Sequence, residues 1–479
     1  MAEPSLIEHS LAEAAAMMNG VLQGGRGGEG ARWSGAEIDS RRVRGGELFF
    51  ALLGEHADGH DFAARALEAG AAAAVVHRDM ELPGPSIRVA DVYAAFHQLT
   101  RAIRSRQPEH LVGITGSAGK TTTKELIGAF LGRCFRTERS PGNYNNLYGF
   151  PLALLGTAGD CQWLVAEMGM SVPGELAGVS RLGRPDVAVY TNVRPVHLEN
   201  FGTLEAIAEA KSELLAGVPD GGVMVANADD PRVMGIAEKF ARERGGVIIT
   251  YALEAKNAQV RGRDLEPLAS GPGTRFTLES PQGEVELTLP IHGLYNVENC
   301  LAAAACALHL GVPLGELQPA LDAFRPSSHR GEIAEAAAGF LIVDDCYNSN
   351  PDAAKKALLS ASRLPGRRHV AVLGDMLELG PRELDFHAEV GAAAAELGFD
   401  FVLAVGKRSR HLLAAVLAGG GRGAAADNAA AAVAWLGVSQ HELPGGPLGE
   451  GDVVLVKASR GMALESVVEF LRGAGGGES

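Results

Sequence analysis

Short, nearly continuous apolar runs that end in polar residues recur along the middle and later parts of the chain. Leu111 to Thr115, Trp163 to Glu167, Val187 to Asn192 and Val223 to Asn227 are runs of this kind, and so are Phe340 to Asp344, His369 to Gly374, Phe401 to Gly406 and Val453 to Lys457. Apolar residues at consecutive positions predict strands covered on both faces, as in a parallel sheet. Ala- and Leu-rich helical stretches separate the later runs, the alternation that makes βαβ units. A charged helix-like stretch, Tyr93 to Gln107, precedes the first run, and Lys124 to Leu131 reads as a helix. The pattern predicts an α/β fold in three domains. A smaller N-terminal α/β domain is expected over 1–108, a central P-loop-type parallel sheet with helices over 109–324, and a Rossmann-like C-terminal α/β domain over 325–479. No internal repeat stands out.

Composition narrows the classes. At 479 residues the chain is too long for one core. A hydrophobic content of 46% with 21% charged residues is that of an ordinary globular protein. The formal charge of -15 argues against nucleic acid or an anionic membrane as partner, although local Lys and Arg in a cleft still allow an anionic small substrate. The five cysteines (Cys134, Cys161, Cys300, Cys306, Cys346) form no Cys-x-x-Cys pair and read as reduced thiols, so a cytoplasmic protein is expected. The stretch to Met18 carries Glu8 and Glu13 without a basic segment, so no signal peptide is expected, and the absence of an 18-residue apolar run predicts no membrane span. The Ala-rich tracts near Ala71 and Ala429 are expected to pack in helix or strand, and the glycine-rich tail after Gly473 to be disordered. A monomer is expected.

The most specific chemistry follows the first apolar run. Gly113-Ile114-Thr115-Gly116-Ser117-Ala118-Gly119-Lys120-Thr121-Thr122-Thr123 places glycines where a bending chain turns successive N–H groups onto a phosphate, with a helix N-terminus behind them. Lys120 would reach the β/γ-phosphates, and the Thr121 hydroxyl is suited to Mg²⁺. The general pattern wants Gly where Ile114 stands, with Gly113 one place early, so this is a variant loop. ATP is the expected ligand, with Gly116, Ser117, Ala118, Gly119, Lys120, Thr121 and Thr122 around its phosphates.

Ligands of a parallel sheet lie at the carboxyl ends of its strands. Glu167 closes one apolar run, and His197 follows another in Thr191-Asn192-Val193-Arg194-Pro195-Val196-His197. A carboxylate and an imidazole at neighbouring strand ends can both serve a metal held by triphosphate oxygens, so Thr121, Glu167 and His197 are the candidate Mg²⁺ ligands. Taken alone, His197 also reads as an ordinary loop histidine, and Lys211 as a solvated helix lysine. Asn227 and Asp229, in Asn227-Ala228-Asp229-Asp230-Pro231, suit ribose or base contact and equally a plain turn.

Together these segments, with Tyr295-Asn296-Val297-Glu298-Asn299, resemble in order and spacing the Mur ligase family of ATP-dependent peptidoglycan precursor synthetases, to which folylpolyglutamate synthase is related. The resemblance covers essentially the whole chain. It implies catalytic roles for Lys120, Glu167, His197 and Lys211, and nucleotide contacts from Asn227, Asp229, Asn296, Asn299, Arg330 and Asp345. For Lys211 it leaves two forms open, an ordinary lysine and the carbamate that several relatives carry on the matching residue. The N-terminal Ile38-Asp39-Ser40-Arg41-Arg42-Val43 and Gly54-Glu55-His56-Ala57-Asp58-Gly59-His60-Asp61-Phe62 are similar to the family's UDP-binding domain, with Ser40, Arg41 and His60 as substrate contacts. A guanidinium such as that of Arg41 can grip pyrophosphate oxygens bidentately.

Pro141-Gly142-Asn143-Tyr144-Asn145-Asn146, Asp344-Asp345-Cys346-Tyr347-Asn348-Ser349-Asn350 and Val372-Leu373-Gly374-Asp375-Met376-Leu377-Glu378-Leu379-Gly380 resemble the branch that adds a dipeptide. No Asp-Asn-Pro-Arg diamino-acid motif occurs. This implies UDP-N-acetylmuramoyl-tripeptide and D-alanyl-D-alanine as substrates, with Asn143, Asn145, Asn146, Tyr347, Asn348 and Asn350 binding them, and a C-terminal domain that takes the dipeptide and closes over the nucleotide. The tripeptide-forming ligase and a folylpolyglutamate-type ligase are the alternatives. Because Asn350-Pro351 also reads as a plain helix start, its substrate role is one of two readings. The reaction implied is transfer of the γ-phosphoryl group to a carboxylate, then attack of an amine on the acyl phosphate, catalysed by charge neutralisation and positioning.

Overall fold

The computed structural model describes residues 9–24, 31–268, 273–326 and 329–473; the tail after Gly473 lies outside the described residues. Its strands form three main sheets of five, nine and six strands, each built from one part of the chain. Among the described residues no helix is long and apolar enough to cross a membrane.

The five-stranded sheet runs, edge to edge, Val21–Gln23, Ser86–Arg88, Ala73–Val76, Leu48–Phe50 and Ala36–Glu37. Ala71 and Ala74 pack with Phe49 beneath it, as the Ala-rich tract required. Helix Val92–Arg104 follows, capped by Asp91 and amphipathic, with Phe96, Leu99 and Ile103 in the core and Arg101 outside. Arg104 donates to the carbonyl of Gly183 at 2.7 Å and so joins this unit to the next.

The nine-stranded sheet has the order Gly283–Leu289, Thr274–Ser280, Val260–Pro267, Val247–Ala252, Val223–Asn227, Val187–Tyr190, His110–Thr115, Trp163–Glu167, Thr137–Arg139. From Thr137–Arg139 to Val260–Pro267 every pairing is parallel; Thr274–Ser280 and Gly283–Leu289 add antiparallel strands at one edge. The chain leaves His110–Thr115 for one side, returns beside it as Trp163–Glu167, then crosses to the other side as Val187–Tyr190. The carboxyl end of His110–Thr115 is therefore the switch point where a parallel sheet opens a crevice.

Helix Leu294–His309 is buried along nearly its whole length and packs against the helix that follows the glycine loop. Its alanine run permits that close approach. The helix after the loop begins at Lys120 and runs to Leu131, one turn earlier than the apolar pattern indicated, because Gly119 in the left-handed region (φ 85°) supplies its N-terminal turn.

The six-stranded sheet has the order Glu332–Glu335, Leu341–Asp344, Asp452–Lys457, Arg368–Gly374, Phe401–Val405, Gly423–Ala426, parallel except at Glu332–Glu335. Its second half is stitched by buried Asp452, which pairs with Arg368 and with Arg367 at 3.1 Å.

Candidate active site

At the switch point the loop Gly116–Gly119 lies under a clamp built from the end of the neighbouring strand. The Ser117 amide donates to the carbonyl of Asn192 at 2.9 Å, the Ala118 amide to Asn192 Oδ1 at 3.0 Å, and Thr191 Oγ1 to the carbonyl of Ala118 at 2.6 Å. The clamp explains the loop's glycines. A Cβ on Gly116 would lie 1.8 Å from Thr191 Oγ1, and one on Gly119 2.1 Å from Asn299 Oδ1. The Ala118 amide is engaged by Asn192, while the first-turn amides of the helix from Lys120 have no intrahelical acceptor. The buried Ile114 belongs to the strand itself and not to the loop.

One cavity of about 360 Å³ opens at this point. Residues 116–122, Asn143, Asn145, Asn146, Glu167, His197, Lys211, Asn299, Arg330, Asp345, Tyr347, Asn348 and Asn350 all line it, brought from the central and C-terminal sheets.

Its cations face one another. Lys120 curls back so that Nζ donates to the Gly116 carbonyl at 2.7 Å. Burial lowers its pKa, Glu167 opposes that shift and Arg330 adds to it. Lys211 closes helix Leu204–Ser212, is 3% exposed, and has no hydrogen-bond or ion-pair partner for Nζ among the described residues. Burial, with Lys120 nearby, pushes its pKa well below the ordinary lysine range. A helix lysine that reads as solvated in the sequence is thus buried in the cavity wall.

Glu167 ends its strand beside the loop, paired in register with Ile114. Its Oε1 is buried and accepts no hydrogen bond, although the Lys124 ammonium stands 3.3 Å away. An orphaned carboxylate oxygen and the Thr121 hydroxyl in the same cavity are hard oxygen donors, the kind Mg²⁺ selects, so these residues fit that ion. His197 contributes differently. Its Nδ1 is taken by Glu378 of the C-terminal unit, while its ring lines the cavity. Burial lowers its pKa against the pull of Glu378, helped by Lys120 and Lys211.

Arg330 lies over the Tyr347 ring at 3.9 Å, with Arg460 on the same ring at 5.3 Å. Asp345 pairs with buried Lys457 at 2.7 Å, and Lys457 also donates to the carbonyl of Asn348 at 3.0 Å. Burial raises the Asp345 pKa and Lys457 opposes it. His329 Nδ1 bonds Asp344 at 2.8 Å, and Cys346 Sγ bonds the same carboxylate at 3.2 Å. These bonds hold the left-handed His329 (φ 64°) and so the arginine after it.

Several residues singled out in the sequence serve the scaffold. Asn227 donates to the carbonyl of Thr191 at 2.9 Å, and Asp229 accepts the amides of Leu253 and Ala255, each at 2.7 Å; neither lines the cavity. Asn296 is fully buried and donates to His292 at 2.7 Å, holding the start of helix Leu294–His309. His60 is 1% exposed, with Nδ1 2.6 Å from Asp58 and Nε2 accepting the His77 amide at 3.2 Å, which leaves the ring nothing to offer a ligand. Ser40 is buried and Arg41 is exposed and forked onto Asp39, both away from this cavity. Asn350 accepts the Ala353 amide at 2.9 Å and caps helix Pro351–Ser362, which is the plain helix-start reading, yet it also lines the cavity.

Other functional positions carried no signal. Lys124 is 0% exposed and donates to the carbonyls of Ser140 at 2.7 Å and Gly142 at 3.1 Å, holding the Asn143–Asn146 loop at the site. Its placement one turn after Lys120 is the only hint. Lys457, Arg460 and Glu378 need the tertiary fold to become visible.

Three family models match in order: the Mur ligase family, catalytic domain, over 33–112; the Mur ligase middle domain over 114–307; and the Mur ligase, glutamate ligase domain, over 329–460. The chain is 33% identical to the UDP-N-acetylmuramoyl-tripeptide–D-alanyl-D-alanine ligase of Escherichia coli K12, over 98% of this chain and 99% of the relative. It superposes on crystal structure I of MurF from Acinetobacter baumannii with a TM-score of 0.85 at 30% identity, covering 98% and 99% of the two chains. With the Thermotoga maritima MurF ligase in complex with ADP the TM-score is 0.78 at 29% identity, over 91% and 96%. The match runs along the full length of known ligases, and this chain belongs to the Mur ligase family.

Proposed function

We propose that this chain is an ATP-dependent ligase that joins D-alanyl-D-alanine to UDP-N-acetylmuramoyl-tripeptide, releasing ADP and phosphate. The observation that carries the reading is the convergence of Lys120, Lys211, Arg330 and Glu167 from two sheets on one cavity, beside the Asn-rich segments 143–146 and 347–350. The tripeptide carboxylate attacks the γ-phosphorus, the bond to ADP breaks, and an acyl phosphate forms. The dipeptide amine then attacks the acyl carbon, the C–O bond to phosphate breaks, and one proton leaves the amine. Two anions must approach in the first step, so Lys120 and the amides at the helix start act by neutralising charge where it develops. Mg²⁺, held by Thr121, Glu167 and His197, would neutralise phosphate charge.

On this reading 1–108 binds the UDP-sugar, 109–324 the nucleotide, and 325–479 the dipeptide, in the cytoplasm. Asn143, Asn145, Asn146 and Asn348 are neutral, multidentate groups suited to a zwitterionic dipeptide and the sugar peptide. Lys211 has two readings, a plain lysine and a carbamate: burial pushes the pKa of its unpartnered amine well below the lysine range, which favours the neutral form that adds CO₂, and the resulting anion would suit a metal site better than an ammonium. The test is ADP release with mass analysis of the product. Multiple-turnover ADP release should require both substrates, and the product should gain the mass of the dipeptide less water. Turnover with a free diamino acid or with a folate instead would refute the proposal.

A further inference from the structure

The segment Asp375–Gly380 has so far only marked a resemblance, yet the fold makes it an arm aimed at the active site. It is fixed to its own sheet from several sides. The Leu377 amide donates to Ser459 Oγ at 3.0 Å and the Met376 amide to His387 Nε2 at 2.9 Å, while Met376 and Leu379 are each 1% exposed. At the far end Gly380 (φ 67°) abuts the central unit, where a Cβ would lie 3.2 Å from the Glu199 nitrogen. Leu198 packs against the hydrophobic clusters of both units.

Between these anchors the carboxylate of Glu378 meets Nδ1 of His197. Both residues sit in the left-handed region, at φ 64° and φ 52°, which neither side chain favours. Strain of this kind on two facing residues from different sheets persists only where the surroundings enforce it, and such residues gather at functional sites. His197 Nε2 makes no hydrogen bond among the described residues, and the ring lines the cavity with Lys120, Glu167 and Lys211.

We propose that Glu378 is a positioning residue for His197: by accepting the Nδ1 proton it fixes the ring and leaves the Nε2 lone pair for the nucleotide's divalent ion. A carboxylate on the far nitrogen is how metal-binding imidazoles are commonly oriented. Here the carboxylate belongs to the C-terminal unit, so the imidazole is in place only while that unit is docked. The inference rests on the reading of His197 as a ligand of that ion.

Mn²⁺ binding to the full chain with ADP, read from the free-ion electron paramagnetic resonance signal, tests it without turnover. Glu378→Gly removes the carboxylate and relieves the left-handed backbone, so its thermal midpoint should equal or exceed that of the parent protein. Its Mn²⁺ affinity should nevertheless fall about 10–100-fold, the usual cost of losing such an outer partner. Glu378→Gln, whose carbonyl accepts the same proton, should stay close to the parent value. His197→Ala separates the two readings. If it binds Mn²⁺ weakly while Glu378→Gly binds normally, the positioning role is wrong and the ligand reading stands. If His197→Ala itself binds normally, the ligand reading fails and takes the inference with it. Glu378→Gln as weak as Glu378→Gly, or an affinity loss that follows a lowered midpoint, would also overturn the proposal.

Discussion

Gly119→Ala is a sharp probe of how the phosphate loop is held. At φ 85° an added Cβ meets a left-handed penalty of about 1–2 kcal/mol. The new methyl would also sit 2.1 Å from Asn299 Oδ1, inside any tolerable contact. Asn299 is 5% exposed and tied to Thr123 Oγ1 and Asn296 Oδ1, each at 3.4 Å, so moving it leaves buried polar groups unpaired. That displacement costs roughly 1–3 kcal/mol. The sum is about 2–5 kcal/mol against folding of the central unit, and ADP affinity should weaken as well because the helix start shifts. A double-mutant cycle separates the parts. Asn299→Ala removes the steric partner, so Gly119→Ala in that background should cost only the backbone share, a coupling of roughly 1–3 kcal/mol. Denaturant midpoints with and without ADP supply the four corners of the cycle. If the two substitutions add without coupling, the loop is not held by contact with Asn299 and the reasoning fails.

Lys120→Ala removes a charge and little packing, so turnover should drop by about 10² to 10³ with the thermal midpoint retained; near-normal activity would end the phosphate-loop assignment. Lys211→Ala should be inactive, and a short carboxylic acid should restore part of its turnover if the buried amine carries a carbamate; no rescue at any concentration argues for a plain lysine. Asp452→Asn should destabilise the C-terminal unit by about 3–5 kcal/mol, because the buried Arg368 loses its carboxylate partner and keeps only the carbonyls of Pro444, Gly446 and Pro447. Burial alone would raise the Asp452 pKa, but the bonds from Arg368, Gly449 and Arg367 bring it below the ordinary value. Stability from this group is therefore present above the unfolded carboxylate range and lost as pH falls through the lowered folded value. Acid unfolding of the Asp452→Asn variant should accordingly lose that part of its pH dependence.

The parallel core was legible because its strands are covered on both faces and so are apolar at every position. Trp163–Glu167 and Val223–Asn227 begin and end where the apolar runs do. Strand ends were harder: the run Val187 to Asn192 stops as a strand at Tyr190, since Thr191 and Asn192 turn aside to clamp the glycine loop. The antiparallel strands Thr274–Ser280 and Gly283–Leu289 lie at a sheet edge, where alternating burial dilutes the apolar signal. In the site, Lys120 and Glu167 stood out from local order, whereas Lys211 read locally as a solvated lysine and took a role only from the family resemblance. Asn227 and Asp229 kept two readings because a polar residue at a strand end looks the same in sequence whether it meets a ligand or the backbone, and here both bond the backbone. Lys124, Lys457 and Glu378 stayed hidden, since each is defined by partners far away in sequence.

One consequence of the C-terminal sheet concerns how the chain is made. Asp452–Lys457 lies between Leu341–Asp344 and Arg368–Gly374, yet it is the last strand of that sheet to leave the ribosome. Units built from earlier residues can fold during synthesis, whereas this sheet has a gap at its middle until residue 457 has emerged. Until then the nascent chain has the phosphate loop but neither Lys457 beneath Asp345 and Asn348 nor Arg460 on Tyr347. A ribosome that stalls late therefore yields a chain with the glycine loop in place but one wall of the cavity unfinished, and that wall is completed only with the final strand.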